Sequence, residues 1–236
     1  MVNSFIWSGD NWKKGDFDFL SLSNREGIYE TFLIKDGLIQ NKNLHFERFI
    51  AGCRFLNLPE SLGPDIPENL NGEWTLRWAR WHGCPAGNIA HLWEGTLQPK
   101  KNQINVGLVS VRSVPKVPEL KVKHLALLKR VKLKQSLKKE YGWDDYLIVD
   151  QDKILEGSNW GFMILMNGKW IIPHFKKGLL QSTTLTKILN EGEFEGVNVV
   201  QDDINLSDLK RANSLKGPSS SGFRNLNIVS DKVVDF

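Results

Sequence analysis

Residues 119–173, ELKVKHLALLKRVKLKQSLKKEYGWDDYLIVDQDKILEGSNWGFMILMNGKWIIP, decide how the chain is read. The run from Leu120 to Leu125 alternates and predicts a short strand carrying Lys123. A helix follows that buries Leu127, Leu128, Val131, Leu137 and Tyr141, with Lys129, Arg130, Lys132, Lys134, Lys138 and Lys139 mostly on other faces. Gly142 stops it, as a glycine past a helix end does. Tyr146 to Val149 is an apolar run short enough for a buried strand, and Ile154-Leu155-Glu156-Gly157-Ser158 comes next. The stretch closes as a hairpin, 162–166 and 169–172 around Asn167-Gly168, a dipeptide that supplies two positive-φ residues in succession. One lysine thus stands just before a helix and one carboxylate just after a strand.

Outward from this stretch the pattern stays mixed. Residues 1–24 alternate aromatic and polar residues and predict an irregular or edge-strand lead-in. Ile28 to Leu33, Asp36-Gly37 and Leu38-Ile39 predict a second hairpin. From Asn43 the spacing becomes helical, with Leu44, Phe46, Phe49, Ile50, Cys53, Phe55 and Leu56 on one side and Pro59 beyond the end. Residues 59–72 form a loop, and 74–81 and 104–112 are strand candidates. Gly178 to Asn190 predicts a turn feeding a helix capped by Ser182, Thr183 or Thr184. Asp203 to Ala212 predicts a short helix, and 217–222 a loop. The polar run from Gly95 to Gln103 is the best boundary, giving domains at 1–98 and 99–236 in an α+β chain.

Composition narrows the class. The 236 residues are 41% hydrophobic and 25% charged, ordinary for a globular protein. A net charge of +4 admits a phosphate-bearing cofactor or an acidic metabolite, and falls well short of a dedicated nucleic-acid binder. The two cysteines, Cys53 and Cys84, form no disulfide framework, which predicts a reducing compartment. The N-terminus has no continuous apolar core, and no run is long enough to span a membrane. A cytoplasmic protein is expected.

Several constellations carry little. His82, Cys84 and His91 suggest zinc but lack a fourth ligand and a familiar spacing, so no metal is expected. No glycine-rich phosphate loop or nucleophile elbow is present. The lysines of the central helix have no aromatic platform beside them and suit a solvated face. On spacing alone Lys123, Glu156 and Arg48 are surface charges, Tyr29 and Thr31 ordinary strand residues, and 182–184 a helix cap.

Taken jointly, however, Val122-Lys123-His124-Leu125, Glu156 after Lys153-Ile154-Leu155, and His45 with Arg48 resemble the fold-type-IV pyridoxal-phosphate enzymes. That family holds the branched-chain and D-amino-acid aminotransferases of class IV and 4-amino-4-deoxychorismate lyase. The resemblance runs without a gap over about 106–162 and more loosely over 25–58 and 173–217. It implies a small N-terminal α+β domain and a larger C-terminal α/β barrel-like domain, pyridoxal 5′-phosphate as cofactor, and a homodimer that binds neither nucleic acid nor membrane. It further implies that Lys123 bonds the cofactor aldehyde and Glu156 pairs with its pyridine nitrogen. Arg48, Thr183, Thr184 and Ser214 would hold the phosphate. Tyr29 and Arg112 would face the substrate, and Thr31 would assist catalysis. The chemistry suits these residue types. An amine must be uncharged to attack an aldehyde, a carboxylate favours a protonated ring nitrogen, and a phosphate suits a forked arginine beside a helix N-terminus.

The chain departs from that pattern in places. An asparagine three residues after the lysine is Ala126, and one five after the glutamate is Gly161. A Gly-Ile-Thr-Arg-like turn is Ser182-Thr183-Thr184-Leu185, and an Arg-Gly-Tyr-like loop near the substrate is Cys84-Pro85-Ala86-Gly87-Asn88. The Lys-His-Leu run, Thr31, Arg112 and Asn213-Ser214-Leu215 favour a lyase that makes p-aminobenzoate, a folate precursor, and pyruvate. An amino-acid aminotransferase shares the same cofactor. An inactive or nucleic-acid-associated α+β protein is the reading from another class.

Overall fold

The computed structural model describes residues 3–8, 11–60, 65–67, 70–84, 88–95, 103–116, 122–175, 179–220 and 222–235. Its first six strands are β1 (Ser4–Trp7), β2 (Trp12–Lys14), β3 (Gly27–Lys35), β4 (Leu38–Ile39), β5 (Glu73–Trp81) and β6 (Ile89–Glu94). They form one antiparallel sheet in the order β2-β1-β6-β5-β3-β4. The expected hairpin between β3 and β4 turns on Asp36 and Gly37, both at positive φ. Helix α1 (Lys42–Phe55) lies on this sheet, with Phe49 stacked on Trp78 at 3.7 Å between ring centroids. Alternation on the strands sends Ile28, Phe32, Trp74, Leu76 and Trp78 toward that core.

The second sheet takes the rest of the chain. Its strands are β7 (Gln103–Ser110), β8 (Asp145–Asp150), β9 (Lys153–Gly157), β10 (Met163–Met166), β11 (Lys169–Ile172), β12 (Glu193–Phe194), β13 (Val197–Gln201), β14 (Ile204–Asn205), β15 (Ser214–Lys216) and β16 (Asn225–Val234). They run in the order β12-β13-β11-β10-β15-β16-β7-β8-β9-β14, with parallel pairs at β16–β7, β7–β8 and β11–β13. Asn167 and Gly168 turn β10 into β11 at φ 52 and 71 degrees, as the dipeptide predicts. Helices α2 (Leu128–Tyr141) and α3 (Thr183–Glu191) accompany this sheet. The fold is mixed, with two sheets and few helices. No helix among the described residues is long and apolar enough to cross a membrane.

Four expectations are corrected. Lys123 is not on a strand: Val122 and Lys123 are irregular, His124 makes one bridge to Ile28, and Leu125–Leu127 is a 3-10 turn. A single bridge satisfies one backbone pair, so alternation in so short a run does not make a ladder. Tyr141 is 43% exposed and stacks on Trp143 at the helix end, while Arg130 is buried at 1%. Phe55, at 49%, also points outward. Residues 203–212 supply strand β14 and then a 3-10 turn, Leu206–Lys210, closed by a reciprocal Asn205–Asp208 capping box. Strands β6, β13 and β16 had no sequence expectation. Leu120, Lys121, 85–87 and most of the 95–103 boundary lie outside the described residues.

The site depends on one junction. The Tyr29 amide of β3 donates to the Lys123 carbonyl at 2.9 Å, fastening the segment before α2 to the first sheet. Leu125, Leu127 and Leu128 pack with Phe19, Tyr29 and Ala79 on that sheet's other face, removing apolar area from water.

Candidate active site

Lys123 sits where the chain leaves that junction. The His124 ring nitrogen Nδ1 accepts from the Ala126 amide at 3.0 Å and starts the turn into α2, which fixes the backbone beside the lysine. The Lys123 ammonium lies 3.8 Å from Glu30 Oε2 and 4.8 Å from the centre of the Tyr29 ring. Burial lowers its pKa to about 8; the Arg48 and Arg77 charges add to the fall and Glu30 opposes it. An amine in that range has a usable uncharged fraction near neutral pH.

Glu30 is fully buried in the middle of apolar β3. Arg48 grips it with both arms of its fork, Nε to Oε1 at 2.5 Å and Nη2 to Oε2 at 2.8 Å. His45 Nδ1 lies 2.9 Å from the same Oε2. Burial alone would push the Glu30 carboxyl up, but the Arg48 and Lys123 charges and the His45 hydrogen bond hold it well below the usual range. Burial pushes the His45 imidazole down, toward the neutral form. Arg48 Nη1 donates to the Gln181 carbonyl at 2.9 Å, which ties α1 to the lead-in of α3. These bonds orient the guanidinium and leave one N–H on each terminal nitrogen for a further acceptor.

Glu156, near the end of β9, meets Arg130 of α2: Nη1 donates to Oε1 at 2.7 Å. Burial raises the Glu156 carboxyl above its ordinary range; Arg130, a Leu180 backbone hydrogen bond and Arg48 work against that rise. Gly157 next to it is required by contact. A Cβ there would stand 2.1 Å from the Trp160 ring, and one on Gly217 would stand 2.8 Å from the same ring. Thr183 and Thr184 open α3, where the first amides have no acceptor within the helix. Ser182 caps it, its Oγ accepting from the Leu185 amide at 3.3 Å.

One cavity collects these groups. Tyr29, Arg48, Lys123, Glu156, Thr183 and Thr184 all line it. Thr31, Arg112 and Ser214 do not. Thr31 is buried on β3 beyond Tyr29, Arg112 is exposed on the 3-10 turn after β7, and Ser214 starts β15 opposite Leu165. Ser219 and Ser220 occupy the wall instead. Glu30 and Arg130 also belong to the site, though no motif in the sequence marks them. Each had a signal: Glu30 interrupts an apolar strand, and Arg130 lies seven residues before buried Leu137, on the same helical face. His82 and His91 are engaged elsewhere, His82 with the Leu56 carbonyl at 2.9 Å and His91 with Asp16 at 3.0 Å.

The family model for amino-transferase class IV matches residues 84–221, more than half of the chain. The chain belongs to the class IV aminotransferase family. The match spans Lys123, Arg130, Glu156 and the start of α3. Tyr29, Glu30, His45 and Arg48 precede it, so the family segment is completed here by the first sheet and α1. No curated protein matches by sequence. Among solved structures, the fold IV-transaminase from Curtobacterium pusillum aligns at TM-score 0.73 and 18% identity, covering 99% of this chain and 93% of its own. A hypothetical aminotransferase from Mycobacterium tuberculosis, in its PLP-bound form, aligns at 0.75 and 17%, covering 99% and 94%. The 4-amino-4-deoxychorismate lyase from Pseudomonas aeruginosa aligns at 0.67 and 17%, covering 98% and 92%. At such identities the likeness is one of fold, shared by transaminases and a lyase alike.

Proposed function

We propose that this class IV aminotransferase-family chain is an enzyme whose cavity binds pyridoxal 5′-phosphate, and that it cleaves an aminodeoxychorismate-like amine to p-aminobenzoate and pyruvate. The observation that carries the cofactor reading is the joint presence of Lys123 and Glu156 in the wall of one cavity that also holds Arg48 and the start of α3. The residues fit the group. Arg48 has unused N–H on both terminal nitrogens, and the first amides of α3 meet a phosphate as helix N-termini do. Glu156 supplies an anion for a ring nitrogen, and the lowered Lys123 amine suits an aldehyde.

When bound, the cofactor supplies an electron sink for a carbanion next to the substrate amine. The protein supplies the rest. Lys123, uncharged above about pH 8, takes a proton from the carbon next to the substrate nitrogen. Glu30, 3.8 Å away, stabilises the ammonium that results. The Tyr29 ring lies over that same nitrogen and shields it from water on one side. The lyase assignment rests on the Lys123-His124-Leu125 run and on Thr31, two residues beyond Tyr29 on the same strand face, as protonator of the departing enolpyruvate. Arg112 and the Asn213-Ser214-Leu215 run belong to the same pattern.

Transamination is the second reading, and one observation favours it: Thr31 and Arg112, the residues specific to the lyase pattern, lie outside the cavity wall. In that case Lys123 would hold the abstracted proton for return to a neighbouring carbon, and the substrate would lose no enolpyruvate. Purified protein given aminodeoxychorismate, or an amino acid with 2-oxoglutarate, separates the two. p-Aminobenzoate is the expected product, and amine transfer without it refutes the lyase. Borohydride reduction and peptide mass analysis test the cofactor, and a pyridoxyl adduct anywhere but Lys123 refutes the site. We also propose domains at 1–98 and 99–236, a cytoplasmic location and a homodimer, the last tested by light scattering.

A further inference from the structure

Arg130 breaks two rules of local structure. It stands in the first turn of α2, where the helix dipole disfavours a cation and where no acidic residue balances it. It is also among the largest fully buried side chains of the described residues, at 1% exposure. Arginine is rarely buried without being paired throughout. Its Nε donates to the Pro115 carbonyl at 3.0 Å. Its Nη1 donates to Glu156 Oε1 at 2.7 Å and makes a longer bond, 3.4 Å, to the Ser158 carbonyl. Nη2 is buried and makes no hydrogen bond among the described residues. A sequence that tolerates a disfavoured helix position and an unsatisfied buried donor retains the residue for something else.

What it does follows from its neighbours. Glu156 and Arg130 both line the cavity, and Arg130 is the cation in direct contact with that carboxylate. The bonds to Pro115 and Ser158 anchor the guanidinium independently of the carboxylate. Oε1 is thereby fixed on Nη1, and with the Leu180 backbone hydrogen bond to the same carboxylate this sets how Glu156 faces the cavity. Breaking a buried pair by removing one partner leaves the other charge uncompensated.

We propose that Arg130 is a positioning residue that keeps Glu156 ionised and aimed, and so sets how firmly the cavity grips the cofactor's ring nitrogen. This inference rests on the pyridoxal-phosphate reading above. A purely structural role, in which one fork ties α2 to Pro115, to β9 and to Ser158, is the competing account. The two differ in what happens once Glu156 has no charge.

The test is a double-mutant cycle on full-length protein, with pyridoxal 5′-phosphate affinity and the pH dependence of the bound chromophore's absorbance as readouts. Wild type, Arg130→Met, Glu156→Gln and the double variant are compared. Arg130→Met is expected to weaken binding by about tenfold, equivalent to about 1.4 kcal/mol. It is also expected to shift the chromophore's pH profile, because loss of the cation moves Glu156 toward its neutral form. In the Glu156→Gln background the same change is expected to alter affinity by less than about twofold. Equal losses in both backgrounds, or full affinity and an unmoved profile in Arg130→Met, overturn the inference. Should Arg130→Met not fold, Arg130→Lys takes its place in the cycle, since it keeps charge but cannot span both carbonyls and Glu156. Wild-type protein that takes up no pyridoxal phosphate refutes the cofactor reading and this inference with it. Uptake by wild type with an indifferent Arg130→Met refutes this inference alone.

Discussion

Glu30→Gln is the sharpest perturbation of the site, because it removes one charge and changes almost no volume. The carboxylate is fully buried and accepts from Arg48 through both oxygens, while Oε2 also lies within hydrogen-bond reach of His45 and the Thr31 amide. An amide nitrogen in either oxygen's place meets at least one donor. Arg48, 7% exposed, is then a buried cation without an anion. Removing one partner of such a pair costs about 3–5 kcal/mol. For a chain of this length each kcal/mol moves the melting temperature about 2–4 °C, so a fall of about 6–20 °C is expected by calorimetry at pH 7. The pH dependence has a definite sign. Glu30 is held below its unfolded value of 4.5, so its contribution is present above that pH and lost as pH falls through the folded value. The gap between wild type and Glu30→Gln therefore narrows as pH drops below about 4.5. A variant melting within about 2 °C of wild type at pH 7 would show that the fork contributes little and that the electrostatic account of the site is wrong.

Three further outcomes follow from the same geometry. Labelling of Lys123 by an amine-directed reagent, followed by peptide mapping against pH, should reach half its limiting rate near pH 8; an inflection near 10.5 would mean the amine is unperturbed. Gly157→Ala places a Cβ 2.1 Å from Trp160 and is expected to lower stability by about 1–3 kcal/mol in urea unfolding; an unchanged midpoint contradicts the packing described. Arg112→Ala, on an exposed turn away from the cavity, should leave the pyridoxal phosphate dissociation constant within about twofold, and a larger loss would bring that arginine into the cofactor site.

Much of the fold was legible because local chemistry carries it. Asn167-Gly168 and Asp36-Gly37 demand their turns through positive φ, and Gly142 ends α2 in the left-handed region whatever surrounds it. The apolar run at 146–149 reads as a strand because nothing polar interrupts it. Strands β6, β13 and β16 were not legible for the opposite reason. Ile89–Glu94 mixes His91 and Trp93 on one face, and Asn225–Val234 alternates with polar residues on a sheet whose partners come from distant sequence. Pairing with those partners, not their own pattern, makes them strands.

By itself the sequence determined the residue types a cofactor site needs and where along the chain they fall: an amine before a helix, a carboxylate after a strand, an arginine on an amphipathic helix, hydroxyls at a helix start. Only the tertiary structure decided which of these meet. It gathers Lys123, Glu156, Arg48, Thr183 and Thr184 around one cavity, leaves Thr31, Arg112 and Ser214 outside its wall, and brings in Glu30 and Arg130. The physical reason is range. Turns, caps and periodicity act over a few residues and are written locally. The ionisation of a buried group depends on charges that arrive from other strands and helices, and no window of sequence contains them.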